Sequence, residues 1–179
     1  MKRKEFFSTA ITTGLVTLGS PFFIRPSLQS KISKPKIVSN SEGKVTNVIG
    51  DIQTLKLSGA DTGGEMTLIE TENVPGTMIP MHVHSREDEI FKVLSGQLEM
   101  TVGGETKVLK AGDLAFAPKN IPHMWKVVGA EKCKTILTAF PAGIELMFSE
   151  LGSLPSGPPD FEKVTEICGR FVVKFLVEP

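Results

Sequence analysis

The 179-residue sequence predicts an all-β fold, a double-sheet jelly roll followed by two short C-terminal helices. Three observations predict it. Short runs of alternating apolar and polar residues recur from about Val48 to Phe140, each long enough for a strand and too short for a helix. Gly, Pro, Asn and Asp punctuate these runs at close intervals, which is the chemistry of tight turns. Beyond Pro141 the apolar spacing lengthens from two residues to that of a helix.

The chain begins Met1-Lys2-Arg3-Lys4, followed by a mildly apolar run from Phe6 through Leu18 to Ile24. A basic start before an apolar stretch is the layout of an export signal, and Arg3-Lys4-Glu5-Phe6-Phe7 resembles a twin-arginine signal whose second Arg is Lys. Residues 1–26 are therefore read as an export signal that directs the protein to the periplasm or outside the cell. The alternative is a cytoplasmic protein whose Phe7, Ile11 and Leu18 form one face of a packed helix. Thr residues interrupt the run, so no stable membrane span is expected. Residues 27–46, rich in Ser, Lys and Pro, form a linker or an arm that crosses onto a partner subunit.

The barrel is expected over residues 47–141. Strands are read at Ile52–Leu57, Met66–Ile69, Met81–His84, Glu89–Leu94, Gln97–Val102, Glu105–Leu109, Leu114–Ala117, His123–Val128 and Cys133–Phe140. Gly103-Gly104 between two alternating runs is a two-residue hairpin signal. Many short, evenly spaced strands suit a sandwich or jelly roll. Residues 142–179 form a helical extension. Ile144, Met147, Phe148 and Leu151 share one helical face, and Asp160 offers an N-cap for a second helix bearing Phe161, Val164, Ile167 and Phe171. These helices either cross the barrel mouth or cover a sheet edge.

Composition narrows the function. Twenty basic residues balance twenty acidic ones, so net charge argues for neither nucleic acid nor an anionic membrane as partner. The chain has no Tyr, which excludes phenol acid–base chemistry. Cys133 and Cys168 are too few for a disulfide scaffold and read as buried thiols; they could pair only in an exported protein. A homodimer is expected, since the commonest assemblies are homodimers and a barrel leaves sheet edges to cover.

Only three histidines occur, all between positions 82 and 123. His82 and His84, two apart in a strand, project to one face and can share a cation. A short polar turn then leads to Glu89, which supplies an anionic oxygen across the hairpin. His123 follows Pro122 on a later hairpin and can close the site from the other side. Three nitrogens and one oxygen suit one divalent transition metal (Fe, Mn, Ni, Co, Cu or Zn), with open positions if the geometry is octahedral.

The spacing of these residues is specific. Gly76, His82, His84, Glu89 and Gly96 stand at the defining positions of the first cupin motif. Gly112, Pro118 and His123 resemble the second, with Asn120 in place of the usual Gly and Val127 where Asn is usual. Asn tolerates positive φ, so that turn should survive. The resemblance implies a double-stranded β-helix, the cupin barrel, with metal ligated by His82, His84, Glu89 and His123. The run from His82 to Gly96, with Pro141-Ala142-Gly143-Ile144-Glu145 and Pro158-Pro159-Asp160-Phe161-Glu162, is similar to the single-domain quercetin 2,3-dioxygenase-like cupins. In such enzymes the glutamate takes the substrate's hydroxyl proton and dioxygen attacks the resulting enolate. Glu89 would then be both ligand and general base.

Period-two alternation assigns Phe91 to the face of Glu89 and Trp125 to that of His123; Met100 and Phe116 complete the predicted substrate pocket. An apolar, partly aromatic pocket beside such a metal suggests a dioxygenase acting on an aromatic or enolic small molecule. Two alternatives stand beside it. A non-oxidative isomerase, lyase or decarboxylase would want polar residues inside the barrel, of which the inward parity supplies few. A non-catalytic binding protein would use the same metal to hold a small molecule.

Overall fold

The computed structural model describes residues 34–176. The export segment, and with it the reading of residues 1–26, lies outside the described residues. Among the described residues eleven strands form two antiparallel sheets. The six-stranded sheet runs β1 (Lys44–Val48), β2 (Asp51–Leu57), β3 (Thr67–Asn73), β10 (Cys133–Phe140), β5 (Asp88–Ser95) and β8 (Leu114–Ala117). The five-stranded sheet runs β11 (Val173–Phe175), β4 (Met78–His84), β9 (His123–Val128), β6 (Gln97–Val102) and β7 (Glu105–Lys110). From β3 to β6, and again from β7 to β11, each successive strand passes to the other sheet, as in a jelly roll. Their inner faces enclose Ile69, Phe91, Val93, Leu98, Met100, Trp125, Val127 and Leu137. Burying one such large side chain contributes about 1.5–3 kcal/mol.

The strands expected from alternation are present, and β6 and β7 meet at Gly103-Gly104 with Val102 opposite Glu105. Asn120 takes φ 65°, the left-handed turn the sequence required of it. Differences lie at the two ends of the barrel. Its first strand starts at Lys44, inside the segment read as linker, because Lys44 to Val48 pair with Leu55 to Asp51. The preceding residues lie on the same subunit's β2: Lys56 Nζ donates to the carbonyls of Asn40 (2.7 Å) and Glu42 (2.6 Å).

The C-terminal extension is not only helical. A one-turn helix α1 (Gly59–Thr62) links β2 to β3; helix α2 (Ile144–Leu151) and helix α3 (Phe161–Arg170) are followed by β11, which pairs with β4 so that Val173 stands opposite His84 and Phe175 opposite His82. Asp160 caps α3, its side chain accepting from Lys163 N at 3.1 Å. Glu145 fastens α2 to the barrel by accepting from Gly59 N (2.8 Å), Gly143 N (2.7 Å) and Thr67 Oγ1. The extension buries its own cluster, Ile144, Met147, Leu151, Val164, Ile167 and Cys168, against Val48 and Ala139. Cys133 and Cys168 are both free and buried, in separate clusters. Among the described residues no helix is long and apolar enough to cross a membrane.

Candidate metal centre

Strand register assembles the candidate site. His82 on β4 stands directly opposite His123 on β9, and His84, two residues on, shares the inward face. Glu89 enters from the other sheet, at the start of β5, between Ala139 and Ala117. Those two small neighbours leave room around its carboxylate. One ligand atom from each of His82, His84, Glu89 and His123 lies within 4.8 Å of all the others, and all four residues are buried.

Backbone acceptors set the tautomers of two histidines. His82 Nδ1 lies 2.8 Å from Pro80 O, and His123 Nδ1 lies 3.2 Å from Ile121 O. A carbonyl oxygen only accepts, so in both rings the proton belongs on Nδ1 and Nε2 is a bare lone pair. Yet His123 Nε2 faces Glu89 Oε2 at 2.9 Å. Two lone pairs cannot face each other at that distance unless a proton or a cation lies between them. The donor set therefore fits a divalent metal ion.

Electrostatics point the same way. Burial, reinforced by charge on His123 and His84, lowers the His82 pKa to about 3, so this imidazole is neutral at ordinary pH. Burial alone would raise Glu89, but His84, His123 and His82 outweigh it and lower the carboxyl to about 2. Burial, the largest influence on His84, pulls its pKa down; the carboxylates of Glu89 and Glu87 together overcome it and raise it.

Glu87 is the site residue that alternation missed. It lies in the turn between β4 and β5, only 2% exposed, with Oε2 3.5 Å from His84 Nδ1. Neither of these two buried atoms has a hydrogen-bond partner. Its other oxygen, Oε1, is 3.2 Å from Arg86 Nη1, and Arg86 Nη2 donates to Ala142 O at 2.5 Å. Every histidine of the cluster thus turns Nδ1 toward an acceptor outside it. The sequence signal for Glu87 was a third acidic residue crowded beside Asp88 and Glu89, but period-two parity does not extend through a turn.

A cavity of about 60 Å³ adjoins the cluster. His82, His84, Glu89, Phe91, Trp125 and Leu137 line it from the barrel, with Met147, Phe148, Leu151, Cys168, Val173 and Phe175 from the extension. Phe91 and Trp125 are where alternation placed them. Two other predicted pocket residues are not. Phe116 is 49% exposed and stacks on Phe140, ring centroids 6.4 Å apart, because Ala115 and Ala117 take the inward positions of β8. Met100 is buried in the barrel core and does not line the cavity. The lining is also less apolar than expected: Asp51 and Gln53 of β2 belong to it.

A Cupin domain profile matches residues 70–139, which run from β3 to the end of β10 and carry all four residues of the cluster. The chain is a cupin. It is 25% identical over 123 residues to the quercetin 2,3-dioxygenase of Bacillus subtilis (strain 168), covering 69% of this cupin and 36% of that protein. It is 33% identical over 118 residues to a probable germin-like protein subfamily 2 member 5 of Arabidopsis thaliana, covering 61% of this chain and 54% of the other. The cupin thus spans about a third to a half of these two relatives' lengths. Its fold is similar to the structure of KdgF from Halomonas sp., with TM-score 0.55 and 20% identity, over 62% of this chain and 99% of that one.

Proposed function

We propose that this cupin is a metal-dependent dioxygenase of a compact, neutral enolic or phenolic substrate, with His82, His84, Glu89 and His123 as metal ligands. The observation that carries the reading is the three-histidine, one-glutamate cluster opening on a small, partly open aromatic cavity lined, among the described residues, by no Lys or Arg. A dianionic substrate would find no counter-charge on that wall, whereas an enol needs none. The volume has room for about four to six waters, so a three-ring flavonol enters only if α2 and β11 move aside.

A bound first-row metal supplies Lewis acidity toward the substrate oxygen and redox access to dioxygen. The protein supplies the rest. Both short contacts of Glu89 use Oε2, which leaves Oε1 to accept the substrate's hydroxyl proton. Phe91 and Trp125 position the substrate and, with Phe148 and Phe175 above, exclude water from the reactive anion.

The non-oxidative reading is favoured by one observation, the polar side chains of Asp51 and Gln53 inside the barrel. The deciding experiment is metal analysis of the purified full-length protein, then oxygen uptake with small diketones, catechols and a flavonol, each repeated without oxygen. Dioxygen consumed in step with substrate supports the dioxygenase. Equal conversion under anaerobic conditions replaces it with a lyase or isomerase, and no turnover with any of them would support a binding protein. Glu89→Gln removes the base but keeps an oxygen donor; metal should remain while turnover falls by about 10²–10⁴.

A further inference from the structure

Asp51, Gln53 and Asn73 form a buried polar cluster that the metal ligands do not explain. They are 4%, 4% and 2% exposed. Asp51 Oδ2 accepts from Gln53 Nε2 at 2.8 Å, and Oδ1 accepts from Asn73 Nδ2 at 2.6 Å. Asn73 Oδ1 in turn accepts from Ile52 N at 2.9 Å. A buried carboxylate is costly, and burial raises the Asp51 pKa despite the two amide donors. Among the described residues no Lys or Arg partners it, so only the two amide donors offset that cost.

Its position suggests what does. Asp51 lines the 60 Å³ cavity beside the metal cluster and also a second cavity of about 20 Å³ deeper in the barrel. Across the six-stranded sheet, Glu89 is level with Ala139, Phe91 with Leu137, and Gln53 with Thr71 and Thr135. Along the ladder the rows of Gln53 and Asp51 lie four and six residues from that of Glu89. The side chains of all three nevertheless line one cavity of about 60 Å³, so a substrate of a few bonds reaches from one end to the other, and Phe91 and Leu137 on the same wall form an apolar waist. Each Asp51 oxygen accepts one bond and keeps a further lone pair.

We propose that Asp51 and Gln53 are the second pole of the substrate cavity, where they bind a hydroxyl group that the substrate carries a few bonds from its metal-binding head. The proposal rests on metal binding at the His82–His84–Glu89–His123 centre and not on reaction with dioxygen. The ligand class is a narrow, neutral molecule with an enol or α-hydroxycarbonyl at one end and an alcohol at the other. A terminal carboxylate would find no Lys or Arg on that wall among the described residues to receive it.

The test uses the full-length protein loaded with cobalt(II), whose visible absorption reports the metal-bound head whatever happens at the tail. The probes are butanohydroxamic acid and 4-hydroxybutanohydroxamic acid, which differ by one terminal hydroxyl. The hydroxylated probe should bind about 10- to 100-fold more tightly, the range for a hydrogen bond to a charged group. In Asp51→Ala that preference should fall to near unity, with the affinity for butanohydroxamic acid unchanged. Should that variant fail to fold, Asp51→Asn decides. It keeps the network, its Oδ1 accepting from Asn73 while a flipped Gln53 amide accepts from its Nδ2. Losing the charge should cut the preference at least about threefold, with the melting temperature no lower than in the parent. Equal affinities in the unmutated protein, or a preference that survives the variants, overturns the proposal. If neither probe perturbs the cobalt spectrum, the metal-binding head is itself wrong and the second pole falls with it.

Discussion

Each histidine of the cluster turns one nitrogen to a partner outside it, and the partners differ. His82 and His123 have backbone carbonyls, while His84 has the carboxylate of Glu87. A carboxylate raises the basicity of the ring and fixes its orientation more strongly than a carbonyl does. Glu87→Gln should therefore weaken metal binding by about 10- to 100-fold, measured by competition with a chromophoric chelator. The pH dependence should change as well. Because His84 is raised above 6.5, protons compete with metal for it, and affinity climbs as pH rises through its pKa. With Glu87 neutralised that slope should move to lower pH. Affinity unchanged at every pH would show that Glu87 only fills the turn.

At the scale of elements, the turn between β5 and β6 and the lid over the cavity carry separate demands. Gly96 has φ +74°, and a Cβ there would stand 2.3 Å from Lys132 O and 2.7 Å from Cys133 Cα. Both obstacles are backbone of the neighbouring β10 and cannot step aside. Gly96→Ala should cost at least about 1–3 kcal/mol from the backbone conformation alone, read by urea denaturation, and the contact adds to it. The lid is built differently. Helix α3 is held at its start by Asp160 and packs Val164, Ile167 and Cys168 against α2 and β11. Asp160→Ala should cost about 0.5–2 kcal/mol. Hydrogen exchange should concentrate that loss in α2, α3 and β11 and leave the barrel strands protected; a uniform loss would mean that the lid does not open separately.

For the whole molecule, the buried ionisable groups tie stability to pH. His82 is depressed to about 3 from 6.5, so its contribution is complete above pH 6.5 and is lost as pH falls toward 3. Glu89, depressed to about 2 from 4.5, acts in the same sense over the lower window. His84 and Asp51, both raised, act oppositely: each stabilises most below its unfolded pKa and loses that contribution as pH rises through its folded one. His82 is the group whose window, from 6.5 down to about 3, lies wholly between neutrality and acid. In metal-free protein His82→Asn should therefore lose less stability than the parent between pH 7 and pH 4, measured by denaturation in the presence of chelator; equal losses would show that His82 does not carry this dependence. Metal at 100 times its dissociation constant should add about 2.7 kcal/mol at neutral pH.

Much of this was legible in the sequence because it is local. The alternation of β5, β9 and β10, the hairpin at Gly103-Gly104, the N-cap at Asp160 and the positive φ of Asn120 each follow from neighbouring residues. The spacing of His82, His84, Glu89 and His123 identified the residues that meet, since two residues apart on a strand means one face. What the sequence left open depends on which face is inside. In β2 it is polar Asp51 and Gln53 that are buried while Ile52 is 38% exposed, the reverse of the hydrophobic pattern. Phe116 faces outward for the matching reason, Ala115 and Ala117 being the residues that fit beside Glu89. Glu87 lies in a turn where alternation says nothing, and β11 is a strand because the edge of β4 needs a partner. The sequence by itself determined the fold and which histidines and glutamate cluster, through periodicity and short-range spacing. Only the tertiary structure decided the cavity wall, the helices and strand that cover it and the buried polar cluster of Asp51, Gln53 and Asn73, because these are made where strands and helices distant in sequence close on one another.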